Sequence, residues 1–373
     1  MKDTCDIFSI LRTLAILIIF VAHGRFEIGN LAPQVTFPAF FHIPAYPGIW
    51  ILLGLSGYLI GKKFYDGKVE TLTQVKNFYI GRLIRVGVPY YFLLWLVFLF
   101  ISPVEMFQMG GRDWLRLLCF AYDGTPNATL GHTWFVSTIM QLYLVAPLVY
   151  HGLLKRIPAQ STWVCMAALL AVGFTARLIL SFHPVNWFVW VYTFSPAQWD
   201  IFFVPFMLHA YRGSLGALPV GVVKYLRWAA VLLLAAAVGL GWFCWYHLVY
   251  VVSFLYQAPT LFTLILVVFG IAWGNALRTG PAPVRLQWGY LVQNPLHLLE
   301  AFAALTYSFY LYHQYILRDI PRILASYTLS NTAYLWLSIG GGFVLCTLWS
   351  WGVYKMLECP LNQWRHQTYP TGK

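Results

Sequence analysis

Arg12 and His23 stand eleven residues apart in one apolar run, Arg12-Thr-Leu-Ala-Ile-Leu-Ile-Ile-Phe-Val-Ala-His23. At about 100° per residue, eleven steps return His23 to within roughly 20° of the Arg12 face, displaced about 16 Å along a helix axis. A fixed cation and a titratable imidazole then share one stripe. Imidazole suits general-base chemistry near neutral pH, and ionisable groups in an apolar helix cost about 2.5–3.5 kcal/mol each to insert. The plainer alternative has Arg12 snorkelling and His23 sitting at an interface. Arg82-Leu-Ile-Arg85 is the second constellation. Arginines at i and i+3 share a helix face, where they can grip phosphate bidentately or anchor lipid headgroups. Further polar groups come from Gly131-His132-Thr-Trp134-Phe135, from Tyr307-Ser308-Phe309-Tyr310-Leu311-Tyr312-His313, and from Glu358-Cys-Pro360. His313 is expected at a depth similar to His23, which points to a shared polar pocket. Glu358 can pair with Arg12 or Arg85, or cap and face water. His23 and Glu27, at i and i+4, could act as base and orienter unless Gly24 ends the helix.

The elements that must position these groups are membrane helices. Of 373 residues, 60% are hydrophobic, 18% aromatic and 10% charged, with a mean hydropathy of +0.67. Soluble domains carry about 25% charged residues, so a soluble enzyme, a disordered chain and a DNA-binding module are excluded, and no nucleic-acid partner is expected. Runs near 20 apolar residues occur at 7–26, 45–61, 87–103, 132–152, 161–182, 196–211, 226–248, 256–275, 301–318 and 333–357. About ten transmembrane helices in an all-α, polytopic chain follow, the short second and sixth being open to re-entrant readings. The first run carries Arg12 and His23 and lacks a small-residue cleavage site, so it is not a cleaved signal peptide. With both termini cytoplasmic, 17 Lys and Arg fall on inner segments and 6 on outer ones, as the positive-inside rule prefers. Arg177 is among the outer six.

The stretch 62–86 reads as an amphipathic interfacial helix, with Leu72, Val75, Phe78, Tyr79 and Leu83 opposite Lys76 and Arg82. Ser56-Gly57-Tyr58 and Gly61 offer small surfaces for close helix packing. No linker or low-complexity tract divides the chain, so 1–373 is expected to be a single integral membrane domain with no fused soluble domain. The 6 cysteines are scattered, and neither a disulfide framework nor a metal site is expected. No GxSxG, Walker or HExxH pattern occurs, and Asp319 stands six positions after His313, one too many for a His-x4-Asp dyad.

Taken in order, these stretches resemble the acyltransferase 3 family of integral membrane enzymes. The resemblance is carried by Arg12-x10-His23, Leu55-Ser56-Gly57-Tyr58-Leu59-Ile60, Arg82-x-x-Arg85 with Pro89, Trp134-Phe135 with Tyr143 and Pro147, Tyr310-Leu311-Tyr312-His313, and Glu358-x-Pro360. Ser9 stands where many members carry Asp, and Ile139 and Met140 stand in place of a glutamate pair; both departures bear on the acceptor more than on the donor. The resemblance implies an O-acyltransferase of the cell inner (cytoplasmic) membrane. Its donor would be cytoplasmic acyl-CoA, acetyl-CoA first of all, and its acceptor a hydroxyl of an extracytoplasmic glycan or lipid-linked sugar. On that reading Arg82, Arg85 and Arg12 bind the donor along a path through the membrane. His23 is the base or, alternatively, the carrier of an acyl-His intermediate, and Arg12 shares the catalytic stripe. Trp134, Tyr310, His313 and Glu358 line the acceptor end. Membrane lipids complete the partners, and no metal is required. A secondary transporter or flippase for an anionic or glycolipid substrate is the alternative, suggested by the helix count and by Arg12 within the membrane. Residues 1–180 and 181–373 show none of the internal correspondence such folds usually carry.

Overall fold

The structure, a computed structural model, describes residues 6–124, 128–183, 188–216, 218–249, 251–274, 294 and 296–369. Among them every regular element is helical. The principal helices are α1 (Ile7–Leu31), α2 (Tyr46–Tyr65), α3 (Leu72–Arg82), α4 (Val88–Leu96), α5 (Trp134–Gly152), α6 (Thr162–Ser181), α7 (Trp199–Met207), α8 (Val220–Tyr246), α9 (Val251–Trp273), α10 (Leu296–Phe302), α11 (Thr306–Leu324), α12 (Asn331–Trp336), α13 (Gly342–Val353) and α14 (Cys359–Thr368).

Seven helical stretches among the described residues are long and apolar enough to cross a membrane: Ile7–Leu31, Leu72–Ile101, Thr129–Arg156, Ala159–Ser181, Val220–Tyr246, Val251–Trp273 and Asn331–Thr368. Their outward faces carry bare Leu148, Ile179, Leu232 and Leu348, side chains suited to lipid rather than water. The chain is therefore a multi-pass membrane protein. The other three apolar runs are helical too. α2 contains Lys62 and Lys63, and α11 is interrupted by Tyr, His, Gln and Arg side chains. The run 196–211 is the nine-residue α7 between two 3-10 turns. The loop charges Lys2, Arg278, Arg285 and Lys373, and most of the 276–300 connection, lie outside the described residues.

The chain packs as two compact units that interleave along the sequence. The first comprises Met1–Leu55, Arg212–Phe254 and Leu264–Tyr354; the second comprises Ser56–Tyr211, Leu255–Thr263 and Lys355–Lys373.

In the first unit α1 lies against α10 and α11, and α11 lies against α13. Asp6 starts α1 by accepting from the Phe8 amide at 3.0 Å and from Ser9 Oγ at 2.8 Å, an N-cap that satisfies an otherwise orphan amide. Thr13 Oγ1 ties α1 to α10 by donating to the Leu299 carbonyl at 2.6 Å. Phe20, Phe302, Phe309 and Phe343 meet with ring centroids 5.3–5.8 Å apart. Gly24 does not end the helix. α1 runs seven residues further, to Leu31, and Gly24 is where Ile339 packs in: a Cβ there would come within 2.4 Å of Ile339 Cδ1.

In the second unit the small-residue face of α2 receives α7. A Cβ on Gly57 would lie 2.0 Å from the Phe202 carbonyl oxygen, and one on Gly61 would lie 2.4 Å from that of Phe206. Only glycine lets the two backbones approach this closely. Behind α7 stands a salt bridge that the loop-charge reading of Arg177 missed. Arg177 lies inside α6, fully buried, and its guanidinium meets Asp200 of α7 through two 2.7 Å bonds. It is not a loop charge. The stretch 62–86 also differs from expectation. After the turn at Gly67 (φ +73°), α3 begins with a Thr71/Gln74 capping box. It then continues through a π turn at Leu83–Gly87 into α4, giving one 30-residue stretch, Leu72–Ile101. Phe78 is buried against Phe64 and Tyr143 while Leu72 and Leu83 are exposed and Arg82 is buried, so burial along the stretch does not follow the apolar and polar faces that periodicity assigns.

Candidate functional site

Two polar constellations stand out, one within each unit. In the first unit α1 delivers His23 and α11 delivers His313. The rings are nearly parallel, 10° apart with centroids at 5.0 Å, and His23 Nδ1 lies 2.7 Å from His313 Nε2. His313 is fully buried, and its Nδ1 lies 2.6 Å from the Tyr310 carbonyl oxygen. That carbonyl settles the protons. A carbonyl oxygen only accepts, so His313 Nδ1 carries a hydrogen and donates it. In the neutral ring, His313 Nε2 is then an acceptor, and His23 Nδ1 must be the donor to it. By elimination the proton-free nitrogen of His23 is Nε2, which has no hydrogen-bond partner among the described residues. His23 is thus held in one tautomer by a partner that is itself held by backbone, an arrangement that suits general-base chemistry. The pairing replaces the His23–Glu27 alternative: Glu27 instead accepts from Gln314 at 3.5 Å. Arg12 stands about three turns before His23 on the same unbroken helix and is half-buried.

In the second unit Arg82 caps a π turn and Arg85 lies within it, a distortion that often marks functional positions. The extra residue in the turn parts the two side chains. Arg82 is buried and Arg85 exposed. The Arg82 guanidinium stacks over Tyr143 at 5.3 Å and over Phe78 at 5.6 Å, and the Tyr143 hydroxyl shares a hydrogen bond with Ser56 Oγ at 2.5 Å. Ser56 of the small-residue motif and Arg82 are thus joined through Tyr143. Lys63 adds a further cation. It lies just beyond the apolar part of α2, and Arg82 first, then burial, Arg85, Arg365 and Lys68 push its ammonium down to about 6.

The structure gathers His23, His313 and Tyr310 in one place and Arg82 and Arg85 in the other. Trp134 belongs to the second unit and is buried, its ring 4.7 Å from Tyr192, so it is a packed side chain. Glu358 is buried at the π turn that precedes α14. Reading the sequence alone missed Lys63, Arg365, the Ser56–Tyr143 link and the Arg177–Asp200 pair. For the last of these a signal existed, since both are ionisable residues inside apolar runs. For the first three, whose members are far apart in the chain, no local pattern announces the contact.

The chain is thus all-helical and multi-pass among the described residues, with a hydrogen-bonded histidine pair in one unit and an arginine stacked on aromatic rings in the other. A family model described as an acyltransferase domain matches residues 7–355, and the chain belongs to that family, acyltransferase 3. None of the curated proteins and none of the solved structures compared with the chain matches it.

Proposed function

We propose that the protein is an O-acyltransferase of the cytoplasmic membrane, crossing it about ten times with both termini inside. It moves an acyl group, acetyl first of all, from acyl-CoA to a hydroxyl of an extracytoplasmic glycan or lipid-linked sugar. The observation that carries this reading is the His23–His313–Tyr310 relay. The acceptor hydroxyl gives its proton to His23 Nε2 as its oxygen attacks the thioester carbonyl carbon. The imidazolium so formed keeps its Nδ1–H on His313. Collapse of the tetrahedral species breaks the C–S bond, and the proton on Nε2 passes to the departing thiolate, leaving ester and free thiol. His313 is on this account a positioning residue rather than an acceptor contact. Tyr310 remains with the acceptor, and Arg12 with the donor.

Arg82 and Arg85 hold the phosphate-bearing end of the donor. Arg85 gives the cleaner test because it is exposed and its loss leaves no packing defect. Arg85→Ala should raise the donor KM by about tenfold, the size of one lost charge-assisted contact, with the acceptor KM unchanged; an unaltered donor KM would return the pair to lipid anchoring. The function itself is tested by mass spectrometry of surface glycans from a strain lacking the gene. One acyl increment should be missing, and its mass names the group. Glycans indistinguishable from those of the parent strain would contradict the proposal.

A further inference from the structure

Beyond Arg82 and Arg85, the second unit gathers two more cations from distant parts of the chain, Lys63 of α2 and Arg365 of α14. Arg365 packs directly on α3: a Cβ added to Gly81 would lie 3.5 Å from both its Cδ and its Nη1. Its Nη2 is 2.7 Å from His366 Nε2. Arg82 and Arg365 are both more than nine-tenths buried, at 6% and 7% exposure, and in each the Nε–H has no hydrogen-bond partner. The charged neighbours of Lys63 are Arg82, Arg85, Arg365 and Lys68, without a carboxylate among them. Among the nearby acids, Asp66 is held by Lys62 and Glu70 by Lys155, and Glu358 is buried at the π turn just before α14. Four basic side chains beside one buried acid, two of them buried with an Nε–H to spare and one held partly unprotonated by the others, are a poor arrangement for an empty protein. They suit a polyanion that brings several negative charges and many acceptor oxygens.

We infer that Lys63, Arg82, Arg85 and Arg365 form one site for a donor bearing more than a diphosphate, and that Lys63 and Arg365 make the protein select a donor with an additional terminal phosphate monoester. Coenzyme A, with its diphosphate and its 3′-phosphate, has that charge; 3′-dephospho-coenzyme A lacks the monoester. The inference rests on the acyl-CoA reading above and adds to it which part of the donor is recognised and by which residues.

The test is equilibrium binding of coenzyme A and of 3′-dephospho-coenzyme A to the full-length protein in nanodiscs, which needs no acceptor. The nanodiscs are of phosphatidylcholine, with and without phosphatidylglycerol. The unaltered protein should bind coenzyme A about tenfold or more tightly than the dephospho form, one charge-assisted contact being worth about that factor. Arg365→Gln and Lys63→Gln should each weaken coenzyme A by about tenfold and bring the two ligands close to parity, with dephospho binding little changed. Lys63 is half-buried at a helix end, so its variant keeps the test open should the Arg365 variant fail to fold. Equal binding of the two ligands to the unaltered protein overturns the inference, as does a preference that survives Lys63→Gln. Variants that keep the preference but lose stabilisation by phosphatidylglycerol assign the cluster to a lipid phosphate and also overturn it. Failure of the unaltered protein to bind either ligand overturns the acyl-CoA reading itself, and so the two failures are distinguishable.

Discussion

His23→Ala is expected to lower the acyl-transfer kcat by about 10²–10⁴, the range that a positioned general base contributes, while donor affinity stays unchanged. The reasoning is local. The substitution removes Nε2, the one nitrogen of the histidine pair left without a proton or a partner, and it alters none of the cations proposed to bind phosphate. It should not unfold the protein, because His23 is half-buried and gives up a single hydrogen bond, that to His313. His313→Ala separates base from orienter. It leaves Nε2 in place but removes the acceptor that holds the proton on Nδ1. The kcat should therefore fall by less than with His23→Ala, with an altered pH–rate profile and an unchanged donor KM. A merely structural histidine would instead change expression or thermal stability and leave the pH profile alone. Initial rates with labelled acetyl-CoA, paired with donor binding, measure both. Full activity in His23→Ala would remove the histidine from the chemistry.

Asp200→Ala should have the largest effect on stability. Every N–H of Arg177 is engaged: two on the Asp200 carboxylate, one on the Ala197 carbonyl at 2.6 Å, one on Thr260 Oγ1 at 2.8 Å and Nε–H on the Tyr256 carbonyl at 3.2 Å. Both charged side chains are completely shielded from solvent. Removing the carboxylate leaves the guanidinium with neutral acceptors only, and breaking such a buried pair costs about 3–5 kcal/mol. Total stabilities are about 5–15 kcal/mol, so the variant should lose much of its margin and unfold at markedly lower temperature. Replacing both partners, Arg177→Met with Asp200→Leu, removes the charge as well as its partner and should recover most of the loss. The consequence for function follows from position. α7 carries Asp200 on one side and receives Gly57 and Gly61 of α2 on another, and α2 in turn supplies Ser56 to Tyr143 and Lys63 to the cation cluster. Thermal unfolding in detergent checks the set. A single variant as stable as the parent protein would mean that the pair holds nothing together.

The membrane character and most helix positions were legible in the sequence because lipid enforces a simple rule, long apolar runs with their backbone bonds closed internally. Arg12 and His23 were legible for a related reason: a continuous helix turns an eleven-residue interval into a shared stripe, and α1 is continuous. The division of Arg82 from Arg85 was not. Arg85 lies inside the π turn that Arg82 caps, and the i, i+3 rule that put both on one face assumes 3.6 residues per turn. The pairing of His23 with His313 was foreshadowed only as a common depth; its tautomer depends on the carbonyl of Tyr310, and no side-chain pattern reports a backbone oxygen. Lys63 and Arg365, 302 positions apart, come together through tertiary packing alone. The sequence showed them as two among many basic residues near helix ends, where topology already accounts for basic residues. Arg177 was misread as a loop charge because its partner lies 23 residues on, beyond any helical periodicity.

The claim on which the mechanism turns is that His23 presents an unprotonated Nε2. Nitrogen-15 NMR of the histidine-labelled protein in nanodiscs reads this directly, with the ten histidines narrowed by comparing His23→Ala and His313→Ala spectra. The account predicts that both His23 and His313 carry their proton on Nδ1, with a coupling across the Nδ1–H···Nε2 bond between them. A proton on His23 Nε2 in the resting protein, with Nδ1 accepting from His313, would contradict it.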